Sequence, residues 1–135
     1  MVNNDFTNVL DQSNTEGYGK IREFASGATR DTDEGKLDFD GFFSPTVLVH
    51  FAEYMHRHRT QSDGSLRDSD NWQAGIPRDA YMKSMWRHFF DVWAMHHDRE
   101  CGDGDRLEAL CALLFNVQGM LLEVALGRNE RGNHA

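Results

Sequence analysis

Carboxylates and imidazoles crowd one short stretch of this chain. From Trp86 to Asn116 it reads WRHFFDVWAMHHDRECGDGDRLEALCALLFN, with Asp98, Glu100, Asp103, Asp105 and Glu108 around a Gly-containing turn and His88, Asp91, His96 and His97 just upstream. Carboxylate oxygens suit hard cations, and a bound Mg²⁺ often links one or two of them to phosphate groups. The chemistry to expect is attack of metal-held water on a phosphoric anhydride. His88 and Asp91 are three residues apart, as are Asp105 and Glu108, and such pairs share a helix face. Two helices packed antiparallel across the turn would turn both pairs toward one space. A plainer reading stands beside this one. Asp103 and Asp105 at a helix start complement its macrodipole, and Glu108 is then a solvated surface group. His96 and His97 are adjacent, so they point to different sides of a helix, which favours surface over chelation.

Three long helices must position these groups. Ser44-Pro45 is a helix start, with Ser fit for the N-cap and Pro for the first turn. Val47, Leu48, Phe51, Tyr54 and Met55 then recur on one face to about Arg59. A second helix begins after Pro77 and ends near His97, with Tyr81, Met85, Phe89, Val92 and Trp93 on its apolar side. The third runs from about Asp103 to Leu126 and is apolar more than halfway round, which predicts burial on several sides; Gly127 supplies its C-terminal stop. Between the first two helices, residues 60–77 form a long Ser/Asp/Gly-rich loop, of a length that is often functional, with Trp72 as a large aromatic in a polar segment. That tryptophan is either pinned on the core or free to stack on a base. No strand pattern of real length and no internal repeat is present.

The fold class expected is all-α: a helical bundle of three long helices with an N-terminal arm and loop, completed by oligomerisation. Residues 1–26 read as a flexible arm, 27–127 as one domain and 128–135 as a polar tail. The wide apolar surface of the third helix calls for helices from a partner subunit, and a two-fold dimer is the default closed solution. The formal net charge of -8 over 135 residues argues against a general nucleic-acid binder, though a bound cation can invert the local sign. No run approaches the length of a membrane span, and the N-terminus has neither basic nor apolar signal regions. Cys101 and Cys111 form no CxxC pair and read as reduced thiols. A cytoplasmic protein is expected.

Several short motifs occur in a recognisable order: GATRD-x(4)-K at 27–36, Ser44-Pro45, Asn71-Trp72-x-x-Gly75, Arg87-His88, and Asp98-x-Glu100-x-Gly102. In that order the chain resembles the dATP/dGTP diphosphohydrolase family of phages and bacteria, a branch of the MazG-like all-α nucleoside triphosphate pyrophosphohydrolases. The resemblance covers roughly residues 27–126. It implies a helical, dimeric or tetrameric enzyme whose paired acidic motifs hold Mg²⁺, with Mn²⁺ as substitute, and split a triphosphate into monophosphate and pyrophosphate. It implies purine substrates, dGTP and dATP, in phage-type nucleotide pool control. The chain departs from the superfamily pattern: where Glu-x-x-Glu and Glu-x-x-Asp pairs stand there, it has His88-x-x-Asp91 or His50-x-x-Glu53, and Asp105-x-x-Glu108.

The site expectation follows. Asp91, Asp98, Asp105 and Glu108 are the metal ligands, with Glu100 as ligand or general base and Glu108 in a catalytic role. Arg30, Lys36, Lys83 and Arg87, with His88, bind the substrate's phosphates, and Asn71 and Trp72 meet the base. Two alternatives are carried: a helical interaction protein without activity, and an HD-type phosphohydrolase built on His97-Asp98 with ligands from His50, His56, His58 and His88.

Overall fold

The structure, a computed structural model, describes residues 20–130. It is mostly helical and divides between Ser44 and Pro45 into two compact units.

In the first unit, β1 (Ile21–Glu23) and β2 (Thr29–Asp31) pair antiparallel, Arg22 opposite Arg30. Gly27 closes their loop at φ +86°, a conformation that side chains disfavour, and its N–H donates to the Phe24 carbonyl. Exposed ion pairs Lys20–Glu34 (2.5 Å) and Arg22–Asp33 (2.6 Å) hold the loop that follows, each contributing about 1 kcal/mol or less in solvent. A single helical turn, α1 (Phe39–Phe42), is capped by the Asp38 carboxylate, which accepts from the Gly41 N–H at 2.9 Å. The strands are only three residues each, in keeping with the absence of any strand pattern of real length, and the hairpin spans residue 26, where the arm was expected to end. Residues 1–19 of the expected arm lie outside the described residues.

The second unit holds α2 (Pro45–Arg57), a 3-10 turn at Asn71–Ala74, α3 (Arg78–His97) and α4 (Asp103–Ala125). α4 is the shared element: it lies along α3 and also touches α2 and the 3-10 turn. Its buried face is made mostly of small residues, Ala109, Cys111, Ala112 and Gly119, together with Asn116 and Glu123. Small side chains let neighbours come close, and larger ones fill the space. Tyr54 of α2 joins Cys111 and Ala112 in the core, ringed by Phe51, Met55 and Phe115. Tyr81 of α3, only 1% exposed, lies in a notch left by Gly119, where a Cβ would overlap its ring. Its hydroxyl has no hydrogen-bond partner among the described residues, and burial, then the Glu123 charge, raises its pKa.

The expected burial of α4 on several sides is not what one chain shows. Leu107, Leu110, Leu114, Val117, Leu121 and Val124 are all exposed, and on α3 so are Trp86, Phe89, Phe90 and Trp93. Val47 and Leu48 on the first turns of α2 are exposed as well, so its packed face begins at Phe51. By length and composition alone α4 could cross a membrane. Its buried Glu123 and Asn116, both hydrogen-bonded, are features of a helix packed within a folded unit.

α4 ends as expected. Gly127 sits at φ +62°, the Gly127 N–H donates to Val124 and the Arg128 N–H to Glu123 at 3.0 Å, the bonds of a glycine-terminated helix. The polar tail does not begin free at 128, because Arg128 and Asn129 fold back onto Glu123. Residues 131–135 lie outside the described residues.

Candidate functional site

The long loop after α2 is built, not slack. Thr60 and Leu66 form an antiparallel bridge. Beside it the Arg67 N–H donates to the Arg59 carbonyl, and Arg59 Nε donates to the Arg67 carbonyl, both at 2.8 Å. At the tip, Asp63 Oδ1 accepts from the Ser65 N–H and hydroxyl; the hydroxyl bond leads in lowering the Asp63 pKa. The loop then enters the 3-10 turn that carries Trp72, whose indole meets Phe115 of α4 edge-on at 6.4 Å between centroids.

A cleft of about 200 Å³ opens between this loop and the helices. Arg67, Asp68, Asn71 and Trp72 line it from the loop; Tyr54, His58 and Arg59 line it from α2 and the residues just after it, and Phe115 from α4. A second hollow continues past Trp72, Met55 and Arg59 toward Phe51 and Gln118. Trp72 lies against Phe115 of the core and also borders the cleft. His58 stacks on Tyr54 at 4.0 Å, and its Nδ1 lies 2.8 Å from the Tyr54 carbonyl. A carbonyl only accepts, so Nδ1 carries the proton. Burial first, then the charges of Glu108 and Cys111, raises the Tyr54 pKa against the opposing pull of Arg57.

The far end of the Trp72 segment is tied to the end of α4 by a buried charge. Glu123 is fully buried and accepts from Arg128 Nε at 3.0 Å and Asn129 Nδ2 at 2.6 Å. Arg128 also donates to the Gln73 carbonyl, and Arg78 donates to the carbonyls of Arg128 and Glu123. Burial raises the Glu123 pKa. Bonds from Asn129 and Arg128, the Arg128 charge and the Ile76 N–H outweigh it, and the net pKa is lowered.

The expected metal ligands are spread over the second unit. Asp91 is exposed on α3, its carboxylate 3.9 Å from His88 Nδ1. Asp98, just past the end of α3, accepts from the Glu100 N–H at 2.9 Å in a local turn. Glu100 and Asp105 are exposed, Asp105 in the first turn of α4. Glu108 turns to α2: it accepts from Arg57 at 2.8 Å and lies 3.4 Å from His58 Nε2. Arg106 closes the acidic turn, pairing with Asp103 at 3.0 Å and donating to the carbonyls of Asp98 and Met95. Among the described residues of one chain, no three His, Cys, Asp or Glu side chains gather closely enough to hold a metal ion. Among the described residues, the side chains expected for Mg²⁺ and those expected for an HD-type set around His97 and Asp98 form no such group.

Of the expected phosphate-binding cations, Lys83 and Arg87 are exposed on α3, with Arg87 bonded to Ser84 Oγ at 2.9 Å. Neither they nor His88 line the cleft. Arg30 on β2 and Lys36 belong to the first unit and are exposed. His96 and His97 are exposed and meet edge-on, and His97 also meets Trp93 edge-on. Cys101 and Cys111 are free thiols. Sequence reasoning missed Arg59, Arg67, Arg106 and Glu123. Glu123 did leave a signal: a lone carboxylate inside an apolar run with an arginine five residues on. No family model, curated protein or solved structure matches the chain.

Proposed function

We propose that the chain is a Mg²⁺-dependent nucleoside triphosphate pyrophosphohydrolase acting on purine nucleotides, dGTP and dATP foremost, as an oligomer. The observation that carries the reading is the cleft: Asn71 and Trp72, assigned to a base from the sequence, border the same space. A Trp face stacks on a base with on the order of 1–3 kcal/mol, and the Asn71 amide has donor and acceptor groups for a base edge. The reaction class and the ion come from the resemblance, with Asp91, Asp98, Asp105 and Glu108 as ligands and Glu100 as base. Incubating the protein with the eight common ribo- and deoxyribonucleoside triphosphates, with Mg²⁺ or with excess chelator, tests this. Monophosphate and pyrophosphate from purine deoxynucleotides, only with the ion, is the expected product pattern. Diphosphate or inorganic triphosphate as product, or turnover in chelator, refutes it.

The oligomer rests on spacing. Leu107, Leu110, Leu114, Val117, Leu121 and Val124 are exposed at intervals of three and four, the seam by which one helix packs on another. A second copy presents the same seam, which is what a two-fold interface needs. Three long helices with this stripe covered by a partner complete the proposed bundle. Light scattering at micromolar concentration should give a multiple of 15.5 kDa, and the single-chain mass would end this part of the reading.

A helical interaction protein without activity remains the second reading, favoured by the closure of the acidic turn by Arg106. It predicts no product from any of the eight triphosphates.

A further inference from the structure

We infer that Arg59 and Arg67 form an anion subsite at the lip of the Trp72 cleft, which takes the phosphate chain of a purine nucleotide without needing a metal ion. The inference rests on the proposed nucleotide reading and adds to it the residues that hold the phosphates.

The backbone ladder beside the Thr60–Leu66 bridge sets the two arginines side by side. Arg59 spends only its Nε–H, on the Arg67 carbonyl, which leaves both terminal amino groups of its guanidinium without a partner among the described residues. The Arg67 guanidinium has none at all there. Both line the cleft that Trp72 borders, and Arg59 also lines its continuation. In a chain of net charge -8, arginines this close would ordinarily find carboxylates. Asp68, the one carboxylate in the cleft wall, pairs with neither. Two planar forks with free N–H groups suit phosphate oxygens, which accept two parallel bonds from one guanidinium. Arg59, Arg67 and Asp68 sum to one positive charge.

An aromatic wall beside a cationic lip fits a flat base with an anionic tail. Stacking on Trp72 accepts the nucleoside and the nucleotide alike. The arginines distinguish them.

Binding in chelator separates this from the hydrolysis question. The full chain would be titrated by calorimetry with deoxyguanosine, dGMP and dGTP in excess EDTA, alongside Arg67→Gln and Arg59→Gln, with circular dichroism as the check on folding. The wild type should bind dGMP and dGTP at least about tenfold tighter than deoxyguanosine, the scale of one charge-assisted hydrogen bond. Arg67→Gln, whose side chain has no partner to lose, should erase most of that preference and leave deoxyguanosine binding as it was. Equal binding of nucleoside and nucleotide by the wild type, no binding of either, or an unchanged preference in the folded Arg67→Gln variant each overturns the subsite. A chain that prefers dGTP through Arg67 yet releases no pyrophosphate keeps the subsite and refutes the enzyme. One that hydrolyses dGTP with KM unmoved by Arg67→Gln does the reverse.

Discussion

Glu123→Gln is the substitution whose cost the structure defines best. The carboxylate is fully buried, with Arg128 and Asn129 donating to it and Ile76 N–H completing its shell. Glutamine keeps the volume and one acceptor oxygen, but its NH₂ meets donors, and Arg128 loses its counter-charge. Removing one partner of a buried ion pair costs about 3–5 kcal/mol. Arg128 keeps 25% of its side chain in solvent, so the lower end, about 3 kcal/mol, applies here. A unit of this size shifts its melting point by roughly 4–8 °C per kcal/mol, which puts the expected fall at roughly 12–24 °C in far-UV circular dichroism at neutral pH. The pH dependence has a definite sign. The folded pKa of Glu123 lies below its ordinary value of 4.5. Its contribution is therefore complete above that value and lost as pH falls below it through the folded pKa. The wild type should lose its advantage over the variant in that acid window, and the two curves should converge. A drop of less than about 1 kcal/mol at neutral pH, or a gap that widens on acidification, would refute the assignment.

Gly119→Ala places a methyl group where the Tyr81 ring lies, and Tyr81 is held between α3 and α4 with almost no exposure; overpacking of about 1–3 kcal/mol is expected, read as a lower denaturant midpoint, and an unchanged midpoint would mean the two helices slide apart freely. Glu108→Gln and Asp105→Asn should each lower pyrophosphate release by about a hundredfold, the scale on which a key electrostatic group acts. Glu108 is half exposed in its pairing with Arg57, so the folding cost should stay under about 1 kcal/mol and helicity should be kept; near-normal turnover in both variants would leave these residues only their roles at the helix start and against α2.

The three long helices were legible because their ends carry distinct chemistry. Pro45, Pro77 and Gly127 bound them within a residue or two of the structure, and the period of Phe51, Tyr54 and Met55 marked the packed face of α2. The hairpin was not legible: its strands are three residues long, and Arg22, Glu23, Thr29, Arg30 and Asp31 give no apolar alternation. In the site, Asn71 and Trp72 stood out as an amide and an indole in a polar loop. Arg59 and Arg67 did not, since what joins them is a ladder of backbone bonds that no side-chain pattern announces. The neighbours of the carboxylates were hidden for a related reason. Spacing put Asp105 and Glu108 on one face, but which neighbour that face meets is decided by packing, and Glu108 met Arg57 of α2, 51 residues away.

The segment that carries Trp72 is fastened at both ends, by the Arg59–Arg67 ladder before it and by Arg128 and Glu123 behind it. A loop tethered at one end would have to give up conformational freedom each time a ligand arrived, at roughly 1–2 kcal/mol per residue fixed. Here that cost falls on folding instead, and the cleft would meet the proposed nucleotide already shaped. Association with it should therefore be fast, with no slow isomerisation phase. Its heat-capacity change should be set by the stacked surface alone, and should stay well short of the change seen when a loop closes over its guest.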